Sequence, residues 1–409
     1  MLKFRKKKSL DFFVSIGAGV NQIPLIIEAK KANFQVIGVD INASAPGFYH
    51  CDLKIQESIQ DYQNIYIKLR ELLVDGKISA IMTKSYGNAI ITTSFLCEKF
   101  GLPFIPFEES KKFLNKKTTR KIYSGNGIAV PNILPINLKT RSSSVKDSAF
   151  PVIAKPQTGH AKTNVRLLKN HEELTLFQNE HQGEDFIFET FLEGDEIICA
   201  GLVHQQKYYN IMISDKKTSP RPYFADIMHS TPSVYSHLDD KISEIGQKIA
   251  EAFNIQTSPM IMEFVVDRNE NLFLLESVPE FGGEFIPDIM IPAATGYNHI
   301  RNAINAATGE PLKFPLKKSV SIPVVVKYIT GEHGTLASCN PDPVKKIDGI
   351  VFSRIFKDIG AKISPPETNH DRLGVIVAKG KTVEDAARIA SRAESSMNIR
   401  IVKENNDEN

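Results

Sequence analysis

Two glutamates, Glu263 and Glu276, stand in two apolar runs that a turn-forming segment separates. Residues 261–266 (IMEFVV) and 272–276 (LFLLE) have the composition of β-strands, and the DRNEN between them is typical of a hairpin turn. An unpaired carboxylate is costly to bury, so each acid needs a cation or a donor beside it. Two carboxylates on paired strands suit a hard divalent ion such as Mg²⁺, which prefers oxygen ligands and often also holds substrate phosphates. The alternative is a hairpin whose two acids face solvent.

A lysine and two further acids indicate a site for an anion and its attached groups. The segment SAFPVIAKPQTGHAKTNVRLL places Lys155 at the end of an apolar strand, before a turn-forming loop where a phosphate would balance its charge. Downstream, Glu189 and Glu196 flank a turn at Gly194. A connector of this kind can present backbone groups to a purine edge while the second acid reaches ribose hydroxyls. The alternatives are an edge-strand lysine in water and two surface acids around a turn.

The elements that must position these residues begin with an alternating pattern. Between residues 10 and 112, the apolar runs DFFVSIG, QVIGVD, ISAIMTK and LPFIPF alternate with stretches of helical spacing, which predicts a parallel sheet with right-handed crossovers. Gly17 and Gly19 follow the first strand and Asp40 ends the second, as in a dinucleotide-binding domain. Gln22 stands where the third glycine of that fingerprint belongs, so an NAD-dependent oxidoreductase is the weaker alternative.

Composition and charge narrow the class of protein. The chain has 409 residues, of which 42% are hydrophobic and 24% charged, which is typical of a soluble globular protein of two to three domains. Its net charge is +3, and the five basic residues between Lys3 and Lys8 leave −2 for the remainder, so no nucleic-acid surface is predicted. The four cysteines are far apart and form no CxxC pair. The segment DFFVSIGAGV is too short for a membrane span, and a cytoplasmic protein is expected.

The order of these segments resembles the ATP-grasp superfamily. The resemblance is carried by the α/β start, Asn115-Lys116, FPVIAKP, FETFLEGDE, MIMEF, LFLLE and the following GG, and it spans about residues 10–402. It is strongest to the branch with carbamoyl-phosphate-synthase-like, biotin-carboxylase-like and L-amino-acid-ligase architecture. It implies an α/β plus α+β fold: a Rossmann-like pre-ATP-grasp parallel α/β domain (10–112), an ATP-grasp domain with the ATP and Mg²⁺ site (113–315), a small C-terminal α+β closing domain (316–402) and a disordered tail (403–409).

The resemblance also implies roles for the residues that match its motifs. In chain order these are Lys116 for a nucleotide phosphate, Lys155 for the α-phosphate and adenine, Glu189 for the adenine amino group, the backbone of Phe191 and Leu192 for the purine edge, Glu196 for the ribose, and Glu263 and Glu276 for Mg²⁺. The loop TGHAKTNV has one glycine where relatives carry several Gly and Ser residues. Lys162 in that loop is expected to contact phosphate. Arg372 is expected either to reach the active site or to have a structural role.

The end of the second strand departs from the family pattern E-x-N-P-R, because residues 276–280 read ESVPE. Val278 cannot ligate a second Mg²⁺. Glu280 replaces an arginine that faces the transferred phosphate or the carboxylate substrate, and an acid there would repel an anion by several kcal/mol if close and poorly screened. Either another cation substitutes or the substrate carries a positive group at this point, such as an α-amino group. The candidate cations are Lys217, Arg221 and Arg301.

The expected function is therefore that of an ATP-dependent carboxylate–amine ligase. Such an enzyme activates a carboxylate as an acyl phosphate and forms an amide or peptide-like bond, here with an amino acid as the expected substrate class. ATP and Mg²⁺, with Mn²⁺ as a substitute, are the implied cofactors, and a small-molecule carboxylate and amine are the implied partners. Relatives are frequently dimers, which makes a homodimer an expectation; no nucleic-acid or membrane partner is expected. Val278, Glu280 and the glycine-poor loop leave a catalytically degraded ATP-binding protein as the alternative.

Overall fold

The structure is a computed structural model that describes residues 11–73, 76–138, 142–143, 145–159, 161–283, 285–313 and 321–403. The basic residues 3–8 and residues 404–409 of the predicted tail lie outside this description, as does the predicted domain boundary at 315. Among the described residues, none of the helices has the length and apolar character that crossing a membrane requires.

The first described elements form a four-stranded parallel sheet, with the strands side by side in the chain order third, second, first, fourth; this confirms the predicted parallel sheet. Alternating helices connect the strands and cover the sheet, and the buried strand residues form its core. The elements are β1 (Asp11–Ile16), α1 (Ile23–Lys31), β2 (Gln35–Asp40), β3 (Leu53–Gln56), α2 (Tyr62–Leu72), β4 (Lys77–Met82) and α3 (Asn88–Phe100).

One predicted strand is wrong. The run LPFIPF forms no strand, and its last residue begins the next helix. Pro103 and Pro106 lack the N–H groups that a ladder needs, so this apolar run serves as a buried connection instead. Two helices follow, α4 (Phe107–Phe113) and α5 (Lys116–Gly125). The Asn115 side chain caps α5 by accepting a hydrogen bond from the Thr118 N–H, which fixes Lys116 at the first helical position.

A small antiparallel sheet in the order β8-β7-β9 comes next and carries the predicted anion-binding lysine. A short two-stranded hairpin precedes it. The elements are β5 (Ile136–Asn137), β6 (Ser142–Ser143), β7 (Val152–Pro156), β8 (Arg166–Leu168), α6 (His171–Glu180) and β9 (Phe186–Thr190).

The second half of the chain is organised around an eight-stranded sheet, β14-β13-β10-β11-β12-β15-β19-β17. Its first part contains β10 (Asp195–His204), β11 (Lys207–Thr218), β12 (Asp226–Thr231), α7 (Asp239–Ala252), β13 (Thr257–Val266), β14 (Leu272–Val278), α8 (Ile291–Thr295) and α9 (His299–Thr308). The C-terminal part contains β15 (Val324–Ile329), β16 (Gly334–Ser338), β17 (Ile350–Ile355), β18 (Lys362–Ile363), β19 (Gly374–Lys379), α10 (Val383–Ser396) and β20 (Arg400–Val402). The pairing of β12 with β15 continues the sheet into the region predicted as a separate closing domain.

The predicted hairpin is present as β13 and β14, and its register places Glu263 directly opposite Glu276. The next pair along the strands is Phe264 with Leu274, so Leu275 is an extra residue on β14, a β-bulge. Residues opposite each other in an antiparallel pair point to the same face of the sheet. The two carboxylates therefore share one face.

Helix α7 packs on β11 through a close contact at Tyr208. The Tyr208 ring lies between Gly201 on β10 and Gly246 on α7. A Cβ added at Gly246 would meet the ring carbons at 2.3 Å. Both glycines are therefore required by the approach of helix and sheet, which fixes the strands that carry the candidate site.

We expect Gly246→Ala to lower the free energy of unfolding by about 1–3 kcal/mol, because the added methyl group forces the buried tyrosine to move. The measurement is urea unfolding followed by circular dichroism. Gly125→Ala is the matched helix control: no atom lies within 4 Å of its added Cβ, so the change is expected to be neutral or slightly stabilising. Equal effects of the two substitutions would contradict the packing argument.

Candidate functional site

The small sheet and the large sheet line an open cleft, whose empty volume including the solvent at its mouth is about 1070 Å³. Every residue predicted to bind nucleotide or metal lines this cleft, although they come from distant segments: Lys116, Lys155, Lys162, Glu189, Phe191, Leu192, Glu196, Glu263 and Glu276. The structure thus brings the predicted anion-binding lysines and the predicted metal-binding acids to one place. Apolar side chains, including Ile153, Val265 and Leu275, complete the walls.

Glu189 is held in a buried charge network rather than free in the cleft. Arg120 donates from Nε to Glu189 Oε1 at 2.6 Å and from Nη2 to Oε2 at 3.3 Å, and Lys155 forms an ion pair with the same carboxylate. Arg120 Nη2 also donates to the Leu275 carbonyl at the bulge. Sequence reasoning missed Arg120, whose helix, KKTTRKIYSG, contains several basic residues and gives no sign of which one is buried. The network fixes the Lys155 side chain at the cleft wall.

Burial and ion pairing shift the pKa values of Lys155 and Glu189 in opposite directions. Burial lowers the pKa of Lys155 to about 8, although the Glu189 carboxylate partly offsets this effect. Burial alone would raise the pKa of Glu189, but the charges of Lys155 and Arg120 outweigh it and lower the pKa. Glu189 therefore stays ionised, while Lys155 is close to losing its proton at mildly alkaline pH.

A second network surrounds Glu263 and depends on a lysine that the sequence reasoning did not select. Lys216 Nζ lies 2.9 Å from Glu196 Oε2, 2.9 Å from Glu263 Oε2 and 3.2 Å from Asp226 Oδ1. Lys162 Nζ donates to Glu263 Oε2 at 2.8 Å. Burial would raise the pKa of Glu263, but the charges of Lys162 and Lys216 hold it at about 2. The carboxylate is thus ionised and neutralised by two lysines.

Two further residues of this network, Asp226 and His229, lie on β12. Burial would raise the pKa of Asp226, but Lys216, Lys162 and Arg372 hold it well below its usual range. Burial lowers the pKa of His229, which stands opposite Lys216 in the register, to about 4. His229 is therefore neutral near pH 7. The sequence reasoning did not select either residue.

The loop after β7 is held from three sides. Lys116 Nζ donates to the Gly159 carbonyl at 3.0 Å, and Lys162 reaches Glu263. The Asn369 N–H donates to the Ala161 carbonyl at 3.0 Å, while the Asn369 side chain exchanges two hydrogen bonds with Asp226. Asn369 also lines the cleft, so the C-terminal region contributes to its wall.

The glycine-poor sequence of this loop does not prevent it from adopting left-handed backbone conformations. Ala161, Lys162 and Asn164 have φ values of 55°, 60° and 55°. Such conformations cost roughly 1 kcal/mol or more for residues with side chains. The hydrogen bonds to Lys116 and Asn369 offset that cost. His160, within the same loop, is outside the described residues.

The structure separates the three predicted substitute cations. Arg221 lines the cleft, where its guanidinium stacks on Phe224 and Phe191, with 4.2 Å and 5.2 Å between the group and the ring centroids. Lys217 is exposed, because it follows Lys216 on the strand and so points to the opposite face. Arg301 binds the Glu28 carbonyl and carboxylate and ties α9 to α1. Neither Lys217 nor Arg301 lines the cleft.

Glu280 also lies outside the cleft lining, and its surroundings differ from those predicted. Burial raises the pKa of Glu280 to about 7, the Glu276 and Glu263 charges add to this, and Lys84 opposes it. Among the described residues, Lys84, which follows the last strand of the N-terminal sheet, is the cation whose charge lowers the pKa of Glu280. Arg372 is buried; its Nε donates to the Asp226 carbonyl at 2.9 Å and its guanidinium stacks on Tyr328.

The donor set of Glu263 and Glu276 fits a magnesium ion. Both are carboxylates on one face, and proteins often bind Mg²⁺ through one or two carboxylates together with substrate phosphates and water. Lys116 Nζ lies 3.9 Å from Glu276 Oε1. Within the described ranges, no group of three or more His, Cys, Asp or Glu residues is arranged to hold a metal. Val278 pairs with Ile261 and packs against buried apolar residues.

Comparisons with known sequences identify two families within the chain. Residues 148–288 match the ATP-grasp domain, and residues 327–402 match the L-amino acid ligase C-terminal domain 2. Alanine–anticapsin ligase of Bacillus amyloliquefaciens is 24% identical over 225 residues, which are 47% of each protein. D-alanine–D-alanine ligase of Lawsonia intracellularis is 23% identical over 190 residues, 44% of this chain and 62% of that enzyme. The matches thus span roughly half of these relatives' lengths.

Solved structures share the fold over nearly the whole chain. An L-amino acid ligase from Bacillus licheniformis has a TM-score of 0.80 at 18% identity, covering 98% of this chain and 100% of that one. Phosphoribosylglycinamide synthetase from Anaerococcus prevotii has a TM-score of 0.74 at 20% identity, covering 97% and 100%. The chain thus contains an ATP-grasp domain at residues 148–288 and an L-amino acid ligase C-terminal domain at residues 327–402.

Proposed function

We propose that this protein is an ATP-dependent carboxylate–amine ligase that works through an acyl phosphate and takes an amino acid as a substrate. The observation that supports it best is the single cleft in which Lys116, Lys155 and Lys162 face the paired acids Glu263 and Glu276. The matched relatives are named as an alanine–anticapsin ligase and a D-alanine–D-alanine ligase, which supports the same reaction class.

In this proposal, the nucleotide lies across the cleft between the two sheets. The apolar walls and the backbone of Phe191 and Leu192 receive the adenine, and Glu196 receives the ribose hydroxyls. Lys116 and Lys155 bind phosphates, and the tethered loop covers them. Glu189 acts on the nucleotide through Lys155, because Arg120 and Lys155 already occupy its carboxylate.

Glu263 and Glu276 would hold Mg²⁺, or Mn²⁺ with the same oxygen ligands. The ion would supply charge neutralisation for the transferred phosphate. Glu263 would then no longer need Lys162 and Lys216 as counter-charges, so these two lysines could turn their donors toward phosphate oxygens. The positive charges of the two lysines thus balance the charge of Glu263 when the cleft lacks nucleotide, and the charges of the phosphates when nucleotide is bound.

The reaction itself requires positioning and exclusion of water more than covalent participation by the protein. A carboxylate oxygen attacks the γ-phosphorus and ADP leaves. The amine nitrogen then attacks the acyl carbon, the C–O bond to phosphate breaks, and inorganic phosphate and a proton are released. Lys216 and Lys162 provide positive charge at this end of the cleft, and the loop held by Asn369 shields the acyl phosphate from water.

The contacts of Asp40 do not favour the oxidoreductase alternative. The two Asp40 carboxyl oxygens accept hydrogen bonds from the Ala18 and Asn42 N–H groups at 2.9 Å each. Asp40 therefore shapes the loops at the ends of its own sheet. The similarity to ligases points away from hydride transfer as well.

Release of ADP is the first test of the proposal. We expect ATP and Mg²⁺ to yield ADP with at least one pair drawn from a panel of amino acids, and Glu276→Ala to lower that rate by about 100-fold or more because a metal ligand is lost. Coupled spectrophotometric detection of ADP measures the rate. Glu270→Ala, at the exposed turn of the same hairpin, is the control and should retain the rate. An unaffected Glu276→Ala variant would contradict the metal assignment; ATP binding without ADP release would favour the degraded alternative.

Proton uptake on nucleotide binding is the second test, because the pKa of Lys155 is about 8 in the free protein. Neighbouring phosphates favour the charged lysine and raise its pKa, so binding of a non-hydrolysable ATP analogue near pH 9 is expected to take up close to one proton. Isothermal titration calorimetry in two buffers of different ionisation enthalpy measures the uptake. Lys155→Arg stays charged throughout and should bind with less uptake. Equal uptake by both proteins would show that Lys155 is not the titrating group.

A further inference from the structure

A short turn at residues 161–164, which we call the 161–164 turn, lies between β7 and β8 at the wall of the cleft. Ala161, Lys162 and Thr163 line the cleft. Within the described part of the chain, no residue accepts a hydrogen bond from the N–H groups of Lys162 and Thr163. Successive backbone N–H groups in a turn can bind an anion, so this turn offers donors that a phosphate could use.

The backbone of the 161–164 turn is oriented by a hydrogen bond from the C-terminal region. The Asn369 N–H donates to the Ala161 carbonyl at 3.0 Å. The peptide bond between Ala161 and Lys162 is trans, and in a planar trans peptide the C=O and N–H groups point in opposite directions. The hydrogen bond from Asn369 therefore also fixes the direction of the Lys162 N–H. Reversal of this peptide would put a carbonyl oxygen where an anion needs a donor.

Asn369 is itself held in place by several contacts. Its side-chain Oδ1 accepts a hydrogen bond from the Asp226 N–H at 2.9 Å, and its Nδ2 donates to Asp226 Oδ2 at 3.0 Å. Thr368 caps the helical turn that begins at Asn369, in a capping box with Asp371. Arg372 Nε donates to the Asp226 carbonyl at 2.9 Å. This segment is thus fixed to β12, and it presents the Asn369 N–H from a rigid base.

Asp226 connects this base to one of the proposed metal ligands. Asp226 Oδ1 lies 3.2 Å from Lys216 Nζ, which lies 2.9 Å from Glu263 Oε2. The same Glu263 oxygen accepts a hydrogen bond from Lys162 Nζ at 2.8 Å. The 161–164 turn is therefore connected to Glu263 by two routes, one through the Lys162 side chain and one through Asn369. Both routes fix the turn relative to the end of the cleft where we place the metal and the phosphates.

The 161–164 turn needs this support because its sequence disfavours its shape. Ala161 and Lys162 have φ values of 55° and 60°. Glycine adopts such angles freely, whereas a residue with a Cβ adopts them at a cost. Without the contacts of Asn369, other conformations of the turn would become populated. The apparent affinity for a phosphate would then fall in proportion to the fraction of molecules that keep the binding conformation.

We propose that Asn369 is a positioning residue for phosphate binding, which holds the 161–164 turn in the conformation that offers its N–H groups to the nucleotide. The inference rests on the proposed nucleotide site and adds a residue of the C-terminal region to it. The contacts of Asn369 then serve in place of the glycines that this loop lacks.

Two substitutions separate the side chain of Asn369 from its N–H group. Asn369→Ala removes both hydrogen bonds with Asp226 and keeps the N–H. Asn369→Pro removes the N–H as well; proline suits this position, because it is the first residue of a helical turn and follows an extended Thr368. We expect a non-hydrolysable ATP analogue with Mg²⁺ to bind about 10-fold more weakly to Asn369→Ala and up to about 100-fold more weakly to Asn369→Pro. Isothermal titration calorimetry measures the affinity.

Adenosine, which has no phosphate, distinguishes positioning from general damage to the fold. Both variants are expected to bind adenosine within about 2-fold of the wild-type affinity, measured by ligand-observed NMR, because the walls that receive the purine are unchanged. Asn340→Ala is the matched control. Asn340 is an exposed asparagine of the same C-terminal region that does not line the cleft, so this variant should keep the wild-type affinity for both ligands.

Ala161→Gly tests whether Asn369 acts by supporting the unfavourable backbone conformation. Glycine adopts the required φ without the cost, so this substitution alone is expected to change the affinity for the ATP analogue by less than about 2-fold. In the Asn369→Ala protein, the same substitution should recover about 5-fold in affinity, because the turn then depends less on its support.

Three results would overturn the positioning role: unchanged affinity of both Asn369 variants for the ATP analogue, an equal loss of affinity for adenosine, or no recovery by Ala161→Gly. ADP release by the wild-type protein alongside any of these results would leave the ligase function intact. Failure of the wild-type protein to bind the ATP analogue would contradict the proposed function and the positioning role together. The expected binding pattern without ADP release from any substrate pair would support the positioning role and contradict the ligase function.

Discussion

The buried ammonium of Lys216 is the interaction on which the site depends. It contacts Glu196, Asp226 and Glu263, which belong to three different strands of the large sheet. Three carboxylates this close would repel one another strongly without a cation among them. Lys216 therefore allows the sheet to hold close together the acids that we propose for a metal and a ribose. Lys162 from the opposite side of the cleft shares this task, and its hydrogen-bonded ion pair with Glu263 links the loop to the sheet.

The C-terminal region contributes directly to the large sheet and to the wall of the cleft. Its strands extend the large sheet by way of β15, and Asn369 connects the Ala161 carbonyl with Asp226. The loop over the cleft therefore has one anchor in each half of the molecule, at Lys116 and at Asn369. Nucleotide binding that shifts the loop must also disturb the contact with the C-terminal region, and this couples loop position to the packing of that region.

Much of the site could be predicted from sequence, because strands that bury acids or lysines violate the usual pattern of apolar residues. Glu263, Glu276 and Lys155 were found in this way. Lys217 was selected instead of Lys216 because a run of two lysines does not show which of them points into the site. Adjacent residues of a strand face opposite sides of the sheet, so only one of the two can do so. Arg120 and Lys84 were missed because their burial depends on contacts with segments more than sixty residues away, such as Glu189 and Asp288. The continuous sheet from β12 to β15 was missed because pairing between distant strands leaves no periodic signal.

The extra residue at Leu275 means that the backbone geometry of β14, and not only its composition, determines where its side chains point. The bulge resets the alternation of side chains, so that Glu276 faces the cleft while Leu274 remains buried. In a regular strand of the same residues, without the bulge, Glu276 would lie on the same face as Leu274, toward the hydrophobic interior. The direction of this carboxylate is therefore set by a backbone irregularity as well as by the sequence, and a change that straightened the strand would remove the acid from the cleft without replacing it.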